Sequence, residues 1–263
     1  GSIGQMITKL ATATCSANSP SNNAAPVTST SGNTFNIPHS TPFKLTVNAT
    51  DGTDVLTYAF DQMDAYGGTG ISTLPSPTAT FGPLFRSMYP SSANTRYFPS
   101  LSVLTGVSSG SYEVLPTVAR TMNFRAAVRD NRDEAGCVAQ ENFVINTQNC
   151  GAFEFTNLNT ATSLTANGSN TVTLNWNTAS CVATANIQIR FSTDGGKTFP
   201  HILLNSTPND GTETIVVPNL PTCDGRFMIE ALGNIYFNIN RAKIDISSGC
   251  IANGTTFAPD NAV

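Results

Sequence analysis

Apolar and polar residues alternate with a period of two through most of the chain. TPFKLTVNAT places Phe43, Leu45 and Val47 on one face, and DVLTYAFDQ does the same with Leu56, Tyr58 and Phe60. MNFRAAVRD and ENFVINT repeat the pattern before Cys150. Beyond it, TVTLNWNT aligns Val172, Leu174 and Trp176, and NIQIRFS aligns Ile187, Ile189 and Phe191. Such alternation predicts strands with one face buried and one in water. ETIVVPN, RFMIEALG, NIYFNIN and AKIDIS complete about seven short strands after Cys150, the count of an immunoglobulin-like sandwich. Asp194-Gly195-Gly196 within STDGGKTF supplies the positive-φ positions of a tight hairpin.

Helical spacing is confined to GSIGQMITKLATATC, through Met6, Ile7, Leu10 and Ala11, a stretch too short to be stable alone. The predicted fold is therefore all-β: two immunoglobulin-like β-sandwich domains in tandem after a short N-terminal helix remnant. The expected organisation is a helix remnant and linker over 1–34, a first sandwich over 35–148, a second over 149–250, and a tail over 251–263. Residues 65–118, rich in Gly and Pro, read as a long irregular insertion in the first sandwich, of the length that loops with a function reach.

Composition narrows the class. Of 263 residues only 11% are charged, against roughly 25% in ordinary soluble proteins. Ser, Thr, Asn and Gly take their place, as on the exposed strand faces of extracellular β-proteins. The net charge of −4 comes with no basic stripe, which argues against nucleic-acid binding. No apolar run reaches the length of a membrane helix. Gly1-Ser2 reads as the scar of an excised fragment whose export signal lay upstream.

Six cysteines at wide spacing, with no C-x-x-C and only His39 and His201 beside them, favour disulfides over a zinc site; the alternative is buried thiols. Cys181 and Cys223 both precede core strands of the second unit and are expected to pair. Cys150 and Cys250 bracket that unit, which leaves Cys15 for Cys137.

IPHSTPFKLTVNATDGTDVLTYAFDQMD, GPLFRSMYPSSANTRYFP, EVLPTVARTMNFRAAVRDN and, in the second unit, IRFSTDGGKTFPHILLNSTPNDGTETIVVPN and RFMIEALGNIYFNI resemble, in order, a segment following the catalytic domain of bacterial reprolysin-like secreted metalloproteases. The resemblance spans residues 35–246. It implies that Gly1–Cys15 is the last helix of a protease domain and that the protein is secreted or on the cell surface of a Gram-negative bacterium. It brings no catalytic residue, because the protease's H-E-x-x-H has no counterpart here. The chain departs from the family pattern at Ala59 and Phe60, where Cys and Trp are common.

Two constellations remain. Asp51, Asp54, Asp130 and Asp133 are candidate calcium ligands, since calcium prefers several carboxylate oxygens on flexible loops. ATDGTDVLTY also resembles a turn of cadherin-like and polycystic-kidney-disease-like domains in which aspartates can bind calcium; the alternative is that these residues only make turns. In the insertion, Phe81, Phe85, Arg86, Tyr89, Arg96, Tyr97 and Phe98 are the residue types of recognition hot spots, or else they cover an open end of the sandwich. STDGGKTF fits the Asp-box hairpin of sialidase-like propellers but occurs once, so it reads as a turn and not as a blade. The expected function is a non-catalytic ancillary module of a secreted metalloprotease that binds extracellular protein or polysaccharide; the alternative is a spacer that folds and presents the protease domain.

Overall fold

The computed structural model describes residues 23–65, 74–133, 136–182 and 184–246, together with Gln5, Met6, Thr8 and Lys9, which are helical. Cys15, Cys250, the rest of the N-terminal segment and the tail 251–263 lie outside the described residues. No helix among the described residues is long and apolar enough to cross a membrane.

The fold is all-β, two immunoglobulin-like sandwiches in tandem. In the first, β2 (Thr34–Pro38), β8 (Val138–Gln148), β7 (Arg120–Arg129) and β5 (Thr57–Gln62) form one sheet in that order. β2 runs parallel to β8 and the other pairs are antiparallel. β3 (Phe43–Thr46) and β6 (Thr95–Phe98) form the facing ribbon, and β1 (Val27–Ser29) pairs with β4 (Asn48–Thr50) beside it. The alternation predicted for Phe43, Leu45 and Val47 holds, for all three are buried. Phe43 stacks on Phe98 at 5.0 Å, and both rings meet Phe124 of β7 edge-on.

The second sandwich sets β14 (Thr212–Val216), β11 (Thr171–Asn177) and β9 (Glu154–Phe155) against β13 (His201–Pro208), β12 (Asn186–Ser192), β15 (Arg226–Ala231) and β16 (Phe237–Ile239). A short parallel pair, β10 (Thr162–Ser163) with β17 (Ile244–Asp245), closes one end. Trp176 is a core residue, its indole N–H donating to Asn209 Oδ1 at 2.8 Å. A buried Trp usually finds such a partner for its polar end.

Main-chain bonds join the two sandwiches. Lys44 N donates to Ile235 O and Phe237 N to Pro42 O, so β3 continues onto the edge of the second unit's four-stranded sheet. Lys44 Nζ reaches Glu230 across this seam. One apolar cluster runs through both units without a break. On the outer face of the second sheet, Phe199, Met228, Phe237 and Ile239 form a separate cluster. It is covered by Tyr97, Leu101 and Leu104 of the insertion.

The insertion is thus largely structural where the sequence predicts an irregular loop. It supplies β6, the single-turn helix Leu101–Leu104 and the buried Leu84 and Phe85. TRYF is too short, and too close to Pro99, for its alternation to register as a strand.

The cysteines pair differently from expectation. Cys150 bonds Cys181, with Cα atoms 5.9 Å apart, a separation that a disulfide spans. This replaces both the Cys181–Cys223 and the Cys150–Cys250 pairings. The loops before β9 and after β11 approach one another once β9 lies on β11, a proximity that sequence spacing does not encode. Cys223 is also disulfide-bonded. Cys137 Sγ lies 3.8 Å from Asn23 O, and its expected partner Cys15 lies outside the described residues.

Candidate functional site

The hairpin Ser192–Thr198 is closed on itself. Asp194 Oδ1 accepts from Ser192 Oγ and from Thr198 N, its Oδ2 accepts from Thr198 Oγ1, and Ser192 Oγ accepts from Gly196 N. These hydrogen bonds hold the Asp194 pKa below the usual value, against the raising effect of its partial burial. Gly196 has φ +84°, and a Cβ there would stand 2.7 Å from Thr105 Cγ2. Glycine is therefore required twice over, by backbone conformation and by the approach of the insertion. The hairpin is a turn closed by its own Asp194, as the turn reading anticipated, and the structure adds its contact with Thr105 of the insertion.

At the pole where the chain enters the first sandwich, the β4–β5 loop brings Asp51 and Asp54 to Asp130 at the end of β7. Among the described residues these three form the only group of His, Cys, Asp or Glu whose ligand atoms all lie within 4.8 Å of one another. Asp133 is exposed and outside the group. Asp61 and Asp64 also stand apart, Asp64 accepting from Asn123 and Gln62. Asp130 is 2% exposed and accepts from Cys137 N, Asn23 Nδ2 and Arg132 N. Burial acts to raise its pKa, and the hydrogen bonds outweigh it, leaving the carboxyl below its ordinary value. Asp51 Oδ2 is shut off from water without a hydrogen-bond partner. Three clustered carboxylates, one with an orphaned oxygen, fit a hard divalent cation, which would satisfy that oxygen and relieve like-charge repulsion.

The seven hot-spot candidates divide. Phe85 and Phe98, at 3% and 0% exposed, are core residues. The sequence pattern marks them as aromatic but cannot show that the insertion folds back over the sheet. Arg96 is turned inward too: its guanidinium donates to Phe60 O, Arg86 O and Glu113 Oε1, and lies 4.5 Å from the Phe98 ring centroid. Burial pushes the Arg96 pKa down, against the raising effect of Glu113. Tyr97 packs edge-on against Phe237, and burial raises its pKa. Phe81, Arg86 and Tyr89 remain outward.

Arg86 and Tyr89, but not Phe81, border a groove. One hollow of about 470 Å³ lies between β5, β6 and the residues around Tyr89, with Lys197 of the second unit on its wall. A second, of about 380 Å³, adjoins it and shares Met88, Ser100, Ser102 and Glu113. Glu113 forms the floor of both, its Oε1 paired with Arg96 and its Oε2 accepting from Ser100 N and Oγ. Of thirteen large apolar side chains that are exposed among the described residues, six belong to the insertion, Tyr89 at 97% and Tyr112 at 53% among them. Sequence reasoning missed Met88, Tyr112, Glu113 and Lys197. Met88 and Glu113 fall within stretches that carry the family resemblance and Lys197 within the hairpin motif, but it is the fold that carries them to the groove.

Fold and site together define an all-β, two-sandwich module with a groove along its insertion. No protein-family model matches the chain, and no curated protein does. Among solved structures it is similar to three N-terminal domains of the bacteriophage RB49 outer capsid protein Hoc, at 8% identity and TM-score 0.27, covering 85% of this chain and 70% of that one. It is similar also to Drosophila N-cadherin EC1-4, at 10% identity and TM-score 0.26, covering 86% and 50%. The tandem V-type regions of the chitin-binding protein VCBP3 follow at 12% identity and TM-score 0.24, covering 85% and 100%. No functional conclusion is attached to likenesses of this size.

Proposed function

We propose that the chain is a non-catalytic binding module of an exported bacterial protein, ancillary to a zinc-protease domain that precedes it, and that it holds extracellular protein or polysaccharide near that domain. The observation that carries this reading is the groove, whose rim keeps Tyr89 almost wholly in water. A large aromatic side chain left so exposed beside a hollow is what a recognition surface uses. The disulfide Cys150–Cys181 supports an oxidising compartment, and the ordered sequence resemblance supports the protease connection. Calcium, held by Asp51, Asp54 and Asp130, would stiffen the entry pole, where Asn23 also bonds Asp130.

Tethering a substrate raises its effective concentration at the active site without any chemistry in the module. Deleting residues 35–250 from the parent should therefore lower cleavage of large or surface-bound substrates more than cleavage of short peptides. A second reading, a rigid spacer that folds and presents the protease, is favoured by the unbroken core and the main-chain seam between the units. Equal loss on both substrate types would select it.

A further inference from the structure

The groove's chemistry narrows the ligand. Several main-chain groups of its wall are already satisfied: Tyr58 and Ser91 exchange both of their hydrogen bonds, Phe60 O is taken by Arg96, and Arg86 N donates to Tyr112 O. A peptide adding itself as a strand needs a free edge, and these stretches of the wall provide none. What the wall offers is side chains. Ser91, Ser102, Ser108 and Ser111 bring hydroxyls that donate or accept as they rotate. Tyr89 and Tyr112 present aromatic faces to water, and Met88 lies between the two hollows.

Charge supplies the second constraint. Arg96 and Glu113 neutralise one another in the floor, at 11% and 5% side-chain exposure. Arg86 and Lys197 enter none of the ion pairs among the described residues. The lining is therefore left with two uncompensated cations in a chain whose net charge is −4. Cations gathered in a cleft on an acidic protein favour an anionic ligand.

We propose that this groove binds an anionic saccharide. The C–H face of a sugar ring lies on Tyr89, hydroxyls of the oligomer exchange hydrogen bonds with the serines, and carboxylates or sulfates on different sugar units meet Lys197 in one hollow and Arg86 in the other. The proposal rests on the binding-module reading and specifies its ligand.

The full chain is titrated calorimetrically with oligogalacturonate and chondroitin sulfate oligomers, a neutral cello-oligosaccharide and a poly-glutamate peptide. One or both anionic saccharides should bind at least tenfold more tightly than the neutral sugar and the peptide. Tyr89→Ala should weaken that binding at least tenfold with an unchanged melting curve, since the side chain packs on nothing, while Tyr89→Phe keeps it. Arg86→Ala and Lys197→Ala should each weaken it and flatten its dependence on salt. Equal binding of poly-glutamate, binding indifferent to Tyr89→Ala, or no binding of either anionic saccharide overturns the proposal. If the neutral sugar or a protein substrate binds instead and Tyr89→Ala abolishes it, the module still binds ligands and only the saccharide assignment fails. If nothing binds and the 35–250 deletion affects both substrate types equally, the binding-module reading fails with it.

Discussion

Glu113 ties distant parts of the insertion together through Arg96 and Ser100, and Glu113→Gln isolates its charge while keeping its shape. The carboxylate is nearly buried, pairs with Arg96 at 3.2 Å, and accepts from Ser100 N and Oγ. Glutamine can retain one acceptor for Ser100, but it removes the carboxylate paired with the largely buried Arg96 guanidinium and leaves only the weaker attraction of Asp61. Breaking one side of a buried pair typically costs about 3–5 kcal/mol. Arg96 keeps the carbonyl oxygens of Phe60 and Arg86 as acceptors, which brings the expected loss below that range, to about 2–3 kcal/mol. For a chain of this size that lowers the melting temperature by roughly 5–10 °C. The assay is denaturant unfolding of the wild type, Glu113→Gln, Arg96→Met and the double variant. Removing both charges should cost at least about 1 kcal/mol less than the sum of the single losses, because the double variant strands no charge. A Glu113→Gln loss under about 0.5 kcal/mol, the range of an exposed surface pair, would refute the buried-pair reasoning.

Replacing Cys150 and Cys181 by alanine opens a loop with a sequence separation of 31, which should cost ~3.5 kcal/mol in chemical denaturation. Millimolar calcium should raise the melting temperature of the wild type by linkage and leave Asp54→Asn unmoved; curves unchanged by calcium and by chelator would leave the three aspartates as turn residues. Asp130 and Asp194 both titrate below the ordinary Asp value in the folded chain. Their contribution to stability is therefore complete above the unfolded-state pKa of about 3.9 and is lost as pH falls through the lower folded values. Urea midpoints measured between pH 6 and pH 2 should fall with acidification, and less steeply in Asp194→Asn than in the wild type.

The strands were legible because each buried face obeys a local rule. Phe43, Leu45 and Val47, or Ile187, Ile189 and Phe191, reveal their orientation through spacing alone, since successive side chains of a strand point to opposite faces. The Asp194-Gly195-Gly196 turn was legible for the same reason: its hydrogen bonds and positive-φ positions lie within a few residues. Asp51 and Asp54 could be linked to Asp130 because turn chemistry concentrates aspartates at strand ends, although their convergence within 4.8 Å depends on β5 pairing with β7. The insertion followed no such rule. Phe85, Phe98 and Arg96 carry the composition of a recognition loop, yet Phe98 stacks on Phe43 and Arg96 closes over Glu113, partners distant in sequence. The Cys150–Cys181 bond likewise depends on where β9 lands on β11. Local spacing determined which residues form strands and which face each strand buries. The tertiary structure alone decided which aromatics became core and which became the rim of a groove, because burial of an irregular segment is set by contacts that close over long stretches of chain and leave no period in the sequence.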